Sequence, residues 1–275
     1  MNRYIIKQLI KNALLEDMNN GDITTDNLID EKSISTAKII AKEKMVVCGL
    51  EVCELTFSFL DNEMNFNKKC KDGDLVNKGD VILTITGKTK AILSAERTAL
   101  NFLQRMSGIA TKTNEFVQRV KGLNVKITDT RKTTPNLRII EKYSVKVGGG
   151  YNHRYNLSDA VMIKDNHIKA SGGIEKAVSK IKNKIPHTTK IEIEVDSLEK
   201  FKRAIKTDVD IIMLDNMNYK DIALAVKLNN EKILETSGNI TLENINEMAK
   251  TGVHVISTGA ITHSVKASDI SLKII

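Results

Sequence analysis

The densest chemistry in the sequence lies between residues 129 and 167, DTRKTTPNLRIIEKYSVKVGGGYNHRYNLSDAVMIKDNH. Arg131 and Lys132 follow one apolar run, His153 and Arg154 precede the next, and Lys164 stands at its end. Gathering so many cations costs self-repulsion, which a multiply anionic ligand offsets. An arginine grips a carboxylate or phosphate through two parallel hydrogen bonds, and a lysine adds a point charge. Gly148–Gly150 permit positive φ and close approach of the backbone to a ligand. Alone, an Arg-Lys pair after a strand reads as a solvated turn and a Gly-Gly-Gly run as a flexible loop. The combination is what points to an anion site.

A second group is acidic. Glu194 and Asp215 end the runs IEIEVD and IIMLDN, and Glu192 shares a face with Glu194 by strand alternation. Carboxylates in such places bind sugar hydroxyls, hold Mg²⁺, or stabilise a cationic transition state. The plainer alternative is that each caps the next helix or pairs with the cations, and it weighs most for Asp196. A third group is small: Ser237-Gly238-Asn239 and Thr258-Gly259-Ala260 follow the last two apolar runs. Glycine there exposes backbone N–H groups, and a helix N-terminus following it makes a phosphate site. One such glycine is an ordinary turn; two in succession favour phosphate. His167, His187, His254 and His263 lack metal-ligand spacing and read as surface or core residues, with His167 in a supporting place.

These residues need a scaffold that brings distant segments together. Six apolar runs recur after residue 110: Val125–Thr130, Ala160–Lys164, Lys190–Val195, Val209–Leu214, Lys232–Glu235 and Val253–Ser257. Amphipathic stretches near 171–184, 197–206, 219–228 and 241–250 separate the later ones. That alternation predicts parallel strands with right-handed crossovers, satisfied by a barrel or an open doubly wound sheet. Every run ends in a polar cluster, and a barrel collects such clusters at one mouth. The expected class is therefore α/β, with an incomplete α/β barrel of about six parallel strands at residues 111–264. Residues 1–110 read as an α+β open sandwich, with Gly73, Gly79 and Gly87 as hairpin glycines. The alternating tail 265–275 is expected to return to that first domain. SAERTALNFLQRMSGIATKTNEFVQRVKG reads as a helix, with Leu100, Leu103, Met106 and Ile109 on one face.

The chain has 275 residues and a formal net charge of +8, which suggests an anionic partner. Aromatics at 4% and the absence of Trp leave little to stack nucleobases on, so small anions fit better than nucleic acid. Cys48, Cys53 and Cys70 are odd in number and show no CxxC spacing, which disfavours a disulfide framework or a zinc site and fits the cytoplasm. The N-terminus has no apolar stretch of signal-peptide length, and no stretch suits a membrane span.

Over nearly its whole length the sequence resembles quinolinate phosphoribosyltransferases. ALLEDMNNGDITT resembles the family's N-terminal helix and turn, AERTALNFLQRMSGIAT the helix entering its barrel, and TRKTTPNLRIIEKYSVKVGGGYNHRYNLSDAVMIKDNHI its most specific block. EIEVDSLE, DIIMLDNM, LETSGNITLENI and STGAITHS follow in the family's order. Thr258 stands where a serine is common, and TPN replaces TPG. The resemblance implies phosphoribosyl transfer from phosphoribosyl pyrophosphate to quinolinate, with decarboxylation, in NAD biosynthesis. It implies a quinolinate cluster of Arg131, Lys132, His153, Arg154 and Lys164, and Arg97 donated by the second subunit of a homodimer; Thr130 is expected to bind substrate as well. Glu194 and Asp215 match ribose- and metal-side carboxylates for a Mg²⁺-dependent reaction, and the Ser-Gly-Asn and Thr-Gly-Ala turns match phosphate loops. Lys132, Lys164, Glu194 and Asp215 are the expected catalytic residues. The alternatives are a relative using nicotinate, the relative from molybdate transport loci, an aldolase forming a Schiff base at Lys164, and a basic carrier-like module.

Overall fold

The computed structural model describes residues 1–275. In chain order the elements begin α1 Arg3–Met18, α2 Ile23–Leu28, β1 Ile34–Ala41, β2 Met45–Val46, α3 Leu50–Leu60, β3 Asn65–Lys68, β4 Leu75–Val76, β5 Val81–Lys88 and α4 Thr89–Arg119. Then come β6 Lys126–Thr128, α5 Arg138–Val147, β7 Val161–Ile163, α6 Asp165–Ser171, α7 Ile174–Lys182, β8 Ile191–Val195 and α8 Leu198–Ala204. The remainder is β9 Ile211–Asp215, α9 Tyr219–Leu228, β10 Ile233–Ser237, α10 Ile245–Lys250, β11 Val255–Ser257, α11 Ala260–His263 and β12 Ile270–Ile274. No helix is long and apolar enough to cross a membrane.

Two compact units emerge. The first gathers residues 1–114, 134–149 and 265–275; the second gathers 115–133 and 150–264. In the first, a four-stranded sheet of order β12-β1-β5-β3 has all pairs antiparallel, and β2 pairs with β4. Helix α1 forms because Asn2 caps it, accepting from the Tyr4 and Ile5 N–H groups, and Ile6, Ile10 and Leu14 recur on one buried face. Those three pack with Phe102 and Met106 of α4 and Ile140 of α5. A second cluster joins Ile39, Leu83 and Ile85 of the sheet to Phe57, Ile92, Leu100 and Leu103. One reading of this unit needs correcting. Gly87 is not a hairpin glycine; it lies within β5 opposite Ser35, where a Cβ would stand 2.5 Å from Met64 Cγ. Gly73 and Gly79 do turn the chain, at φ of 97° and 96°. Helix α3 buries Leu50, Val52, Cys53 and Phe57.

The second unit holds six parallel strands in the order β6-β11-β10-β9-β8-β7, the incomplete α/β barrel expected from the sequence. β6 and β7 are not laddered to each other. Tyr151 instead bridges to Thr128, its N–H donating to Ile127 O and its carbonyl accepting from Asp129 N–H. Along β8, Ile191, Ile193 and Val195 alternate with Glu192 and Glu194, so one face is apolar and the other carries carboxylates. The helices are locally specified: Ser197 caps α8 and Asn218 caps α9 through N–H groups three residues on.

Candidate active site

Because the six strands are parallel, their C-terminal ends share one rim, and every predicted site residue but Arg97 sits there. Thr130, Arg131 and Lys132 follow β6, and Thr130 Oγ1 accepts from the Lys132 N–H at 3.0 Å. Next to them in the sheet, β11 runs into Thr258, Gly259 and Ala260. The Thr258 N–H donates to Thr128 O, and Thr262 Oγ1 donates to Lys132 O at 2.8 Å. A Cβ on Gly259 would meet His263 Cδ2 at 2.6 Å and Lys132 Cδ at 3.0 Å, so glycine is what lets Lys132 lie along this turn.

On the other side of the rim, His153 and Arg154 precede β7 and Lys164 follows it. Asp129, fully buried, accepts from the His153 N–H at 2.9 Å and from Asn152 Nδ2 at 2.6 Å, which ties this loop to β6. Burial and the neighbouring Arg131 guanidinium depress the pKa of Arg154, while Glu192 and Asp159 oppose that. The two guanidiniums therefore share one neighbourhood, the like-charge crowding inferred from the sequence. Lys164 Nζ pairs with Glu194 Oε2 at 2.7 Å. The Lys164 N–H donates to His167 Nδ1, which gives His167 a supporting place at the start of α6.

Glu194 nears the end of β8 and Asp215 ends β9. Burial, then the charge on Glu194, raises the pKa of Asp215; Asn216, Lys164 and Lys132 pull it down. Neither carboxylate caps a helix. Asp196, for which capping weighed most, pairs with Lys200 at 2.8 Å, and Ser197 does the capping. Ser237 ends β10, followed by Gly238 at φ 94° and Asn239 at φ 51°. No helix starts directly there: α10 begins only at Ile245, so this turn offers loop N–H groups without a helix terminus. The Thr-Gly-Ala turn does run straight into the short helix α11.

Arg97 lies on α4 in the first unit, exposed and with no ion pair within the chain. Residues 22–107 match the N-terminal domain of quinolinate phosphoribosyl transferase and residues 109–273 match its C-terminal domain.

The chain belongs to the quinolinate phosphoribosyltransferase family.

It is 43% identical over 275 residues to the probable nicotinate-nucleotide pyrophosphorylase [carboxylating] of Bacillus subtilis (strain 168), covering 100% of this chain and 95% of that one. It is 42% identical to quinolinate phosphoribosyltransferase [decarboxylating] 1b of Nicotiana tabacum, covering 98% and 83%. The crystal structure of NadC from Streptococcus pyogenes superposes with a TM-score of 0.96 at 42% identity, covering 99% of this chain and 97% of that one.

Within this quinolinate phosphoribosyltransferase fold, three residues at or beneath the rim escaped sequence reasoning. Asn216, at φ 53°, donates through Nδ2 to Asp215 Oδ2 at 2.9 Å and accepts from Asn239 Nδ2 at 3.1 Å. Asp129 holds the 152–153 loop. Glu235, on the carboxylate-bearing face of β10, has only the alternation of LETS as a signal, and its partner lies far away in the chain.

Proposed function

We propose that this rim transfers phosphoribosyl from phosphoribosyl pyrophosphate to quinolinate and releases CO₂, pyrophosphate and nicotinate mononucleotide, a step of NAD biosynthesis. The observation that carries the reading is the collection of Arg131, Lys132, Arg154 and Lys164 on the end of one parallel sheet in a chain of this family. Quinolinate bears two adjacent carboxylates, and this cluster supplies their counter-charge, with Thr130 and His153 completing its wall. The pyridine nitrogen attacks the anomeric carbon as pyrophosphate leaves. Positive charge then develops on the ribose, and Glu194 and Asp215, as catalytic carboxylates, favour it electrostatically. Lys132 and Lys164 meet the phosphate charge, and the Ser237-Gly238-Asn239 and Thr258-Gly259-Ala260 turns offer backbone N–H groups to it. The new N–C bond makes the ring cationic, so the electron pair left at carbon by departing CO₂ is stabilised by the adjacent positive nitrogen.

Mg²⁺ fits this donor set. Burial, then repulsion from Glu194, raises the pKa of Asp215, and two hard oxygen ligands beside substrate phosphates suit the ion, which keeps water in its other positions. Glu194 and Asp215 would hold it, and it would supply charge neutralisation of the leaving pyrophosphate. The exposed, unpaired Arg97 supports a homodimer in which Arg97 reaches the neighbouring rim. Mixing inactive Arg97→Ala and Lys132→Ala subunits would then restore about a quarter of the normal activity, since one site in each mixed dimer is intact. The three free thiols suit the cytoplasm as the setting.

Lys164 as an imine-forming amine is the weaker reading, because its Nζ is engaged with Glu194 Oε2 at 2.7 Å. A direct test supplies phosphoribosyl pyrophosphate and Mg²⁺ with either quinolinate or nicotinate, and follows CO₂ and mononucleotide. Product and CO₂ from quinolinate alone is the expected result; product from nicotinate alone would overturn the substrate assignment.

A further inference from the structure

Below the rim, on the concave side of the sheet, three side chains converge that lie on separate strands and loops. His153 Nε2 is 3.1 Å from Glu192 Oε2 and 3.5 Å from Glu235 Oε1. The side chains are only 12%, 4% and 5% exposed, respectively. The carboxylates come from β8 and β10, either side of β9, so they reach one another only across the concave face. The other ring nitrogen is also engaged: His153 Nδ1 accepts from the Arg154 N–H at 2.8 Å. A neutral imidazole that accepts at Nδ1 carries its proton on Nε2, and here that proton points at the two carboxylates. The backbone N–H of the same residue is fixed by Asp129. His153 is thus pinned at three atoms, and Arg154 inherits its backbone position from that ring. The Arg154 guanidinium in turn donates through Nη1 to Ala160 O at 2.9 Å and feels the charge of Glu192.

We propose that Glu192 and Glu235 are positioning residues for phosphoribosyl transfer: Glu192 accepts the His153 Nε2–H, Glu235 Oε1 stands 3.5 Å from that nitrogen without a hydrogen bond and supports the ring through its charge, and the ring holds Arg154 in place for a substrate carboxylate. The proposal deepens the reading above and rests on it, since it takes the Arg154 guanidinium to be a quinolinate ligand. A buried carboxylate left without its donor is expensive, so Glu192 and the His153 ring depend on each other. Burial, then the charge of Glu192, pushes the pKa of Glu235 up to about 7. The trio also has the composition of a metal site, with its ligand atoms all within 4.8 Å of one another. A metal ion would replace the Nε2 proton, and that distinguishes the two.

Steady-state kinetics on Glu192→Ala and Glu235→Ala, with Glu192→Gln and Glu235→Gln beside them, test the role. The alanine variants are expected to raise the quinolinate KM roughly tenfold or more while the phosphoribosyl pyrophosphate KM stays within about twofold. The glutamine variants, which keep an acceptor oxygen, recover most of that loss. Histidine ¹⁵N spectra of the unliganded enzyme, in which only five histidines must be assigned, are expected to show His153 protonated at Nε2. The proposal is overturned by an unchanged quinolinate KM in the alanine variants, by equal rises in both KM values, or by an Nε2 without a proton. Should alanine prevent folding, the glutamine variants and the spectra still decide. Failure of the underlying reaction is seen separately, as no quinolinate turnover in the unaltered enzyme.

Discussion

Replacing Gly238 by alanine should be among the costliest one-methyl changes in the second unit. Gly238 sits at φ 94°, a left-handed region that costs an L-residue roughly 1–2 kcal/mol. A Cβ there would stand 2.1 Å from Asn216 Oδ1 and 2.5 Å from its Cγ, so the Asn216 amide must move. Forcing that side chain off its rotamer costs about 0.5–1.5 kcal/mol. The amide also loses its bonds to Asp215 and Asn239, exposed interactions worth about 1 kcal/mol at most between them. Together these predict a loss of roughly 3–4 kcal/mol in urea unfolding. Turnover should fall as well, because Asn216 supplies one of the influences that keep Asp215 ionised. In an Asn216→Ala background the obstructing atoms are gone, and Gly238→Ala should cost only the backbone part, about 1–2 kcal/mol. An alanine variant within about 0.5 kcal/mol of the unaltered protein would refute this reasoning, as would an equal cost in both backgrounds.

Glu194→Gln should lower kcat far more than it changes either KM, because it removes a charge that matters when the ribose becomes cationic; near-normal turnover with a large KM increase would contradict that role. Arg131→Ala should weaken quinolinate binding by roughly 1.5–3 kcal/mol, read as its KM or by calorimetry, and unchanged affinity would sink the assignment. Glu235 predicts a pH effect on stability. Its folded pKa of about 7 lies above the ordinary 4.5, so the folded state binds the extra proton and stability from this group falls as pH rises from about 4.5 to 7. The loss is at most about 3 kcal/mol, and Glu235→Gln should gain on the unaltered protein by that amount between pH 4.5 and 7.5 in denaturant titrations; a constant difference across the range would exclude it.

How much could be read in advance depends on how far apart interacting residues lie in the chain. The alternation of Glu192 and Glu194 with isoleucine and valine is a local pattern, and it placed both carboxylates on one face of β8. The polar clusters after each apolar run likewise pointed to a shared rim, because parallel strands end on the same side. Gly87 misled because a glycine between β-rich pieces looks the same whether it turns the chain or makes room for Met64 across the sheet. The Ser-Gly-Asn turn looked like a helix entry, yet five residues lie between Gly238 and Asn244, the residue that precedes the next helix. The Glu192–His153–Glu235 grouping had no sequence signature, since its members lie about forty residues apart and only the fold brings them together.

The pairing of β12 with β1 also bears on how the protein is made. Lys38 of β1 faces Lys273, and Ala41 faces Ile270, so a strand more than two hundred residues downstream completes the first sheet. At about 5–20 residues per second, a ribosome needs on the order of ten seconds or more to deliver it. Throughout that interval β1 presents an open ladder of N–H and C=O groups, the kind of edge on which nascent chains pair wrongly. The growing polypeptide therefore has a window of vulnerability set by chain order, and a chaperone able to cover that edge would act during elongation, before the closing strand emerges.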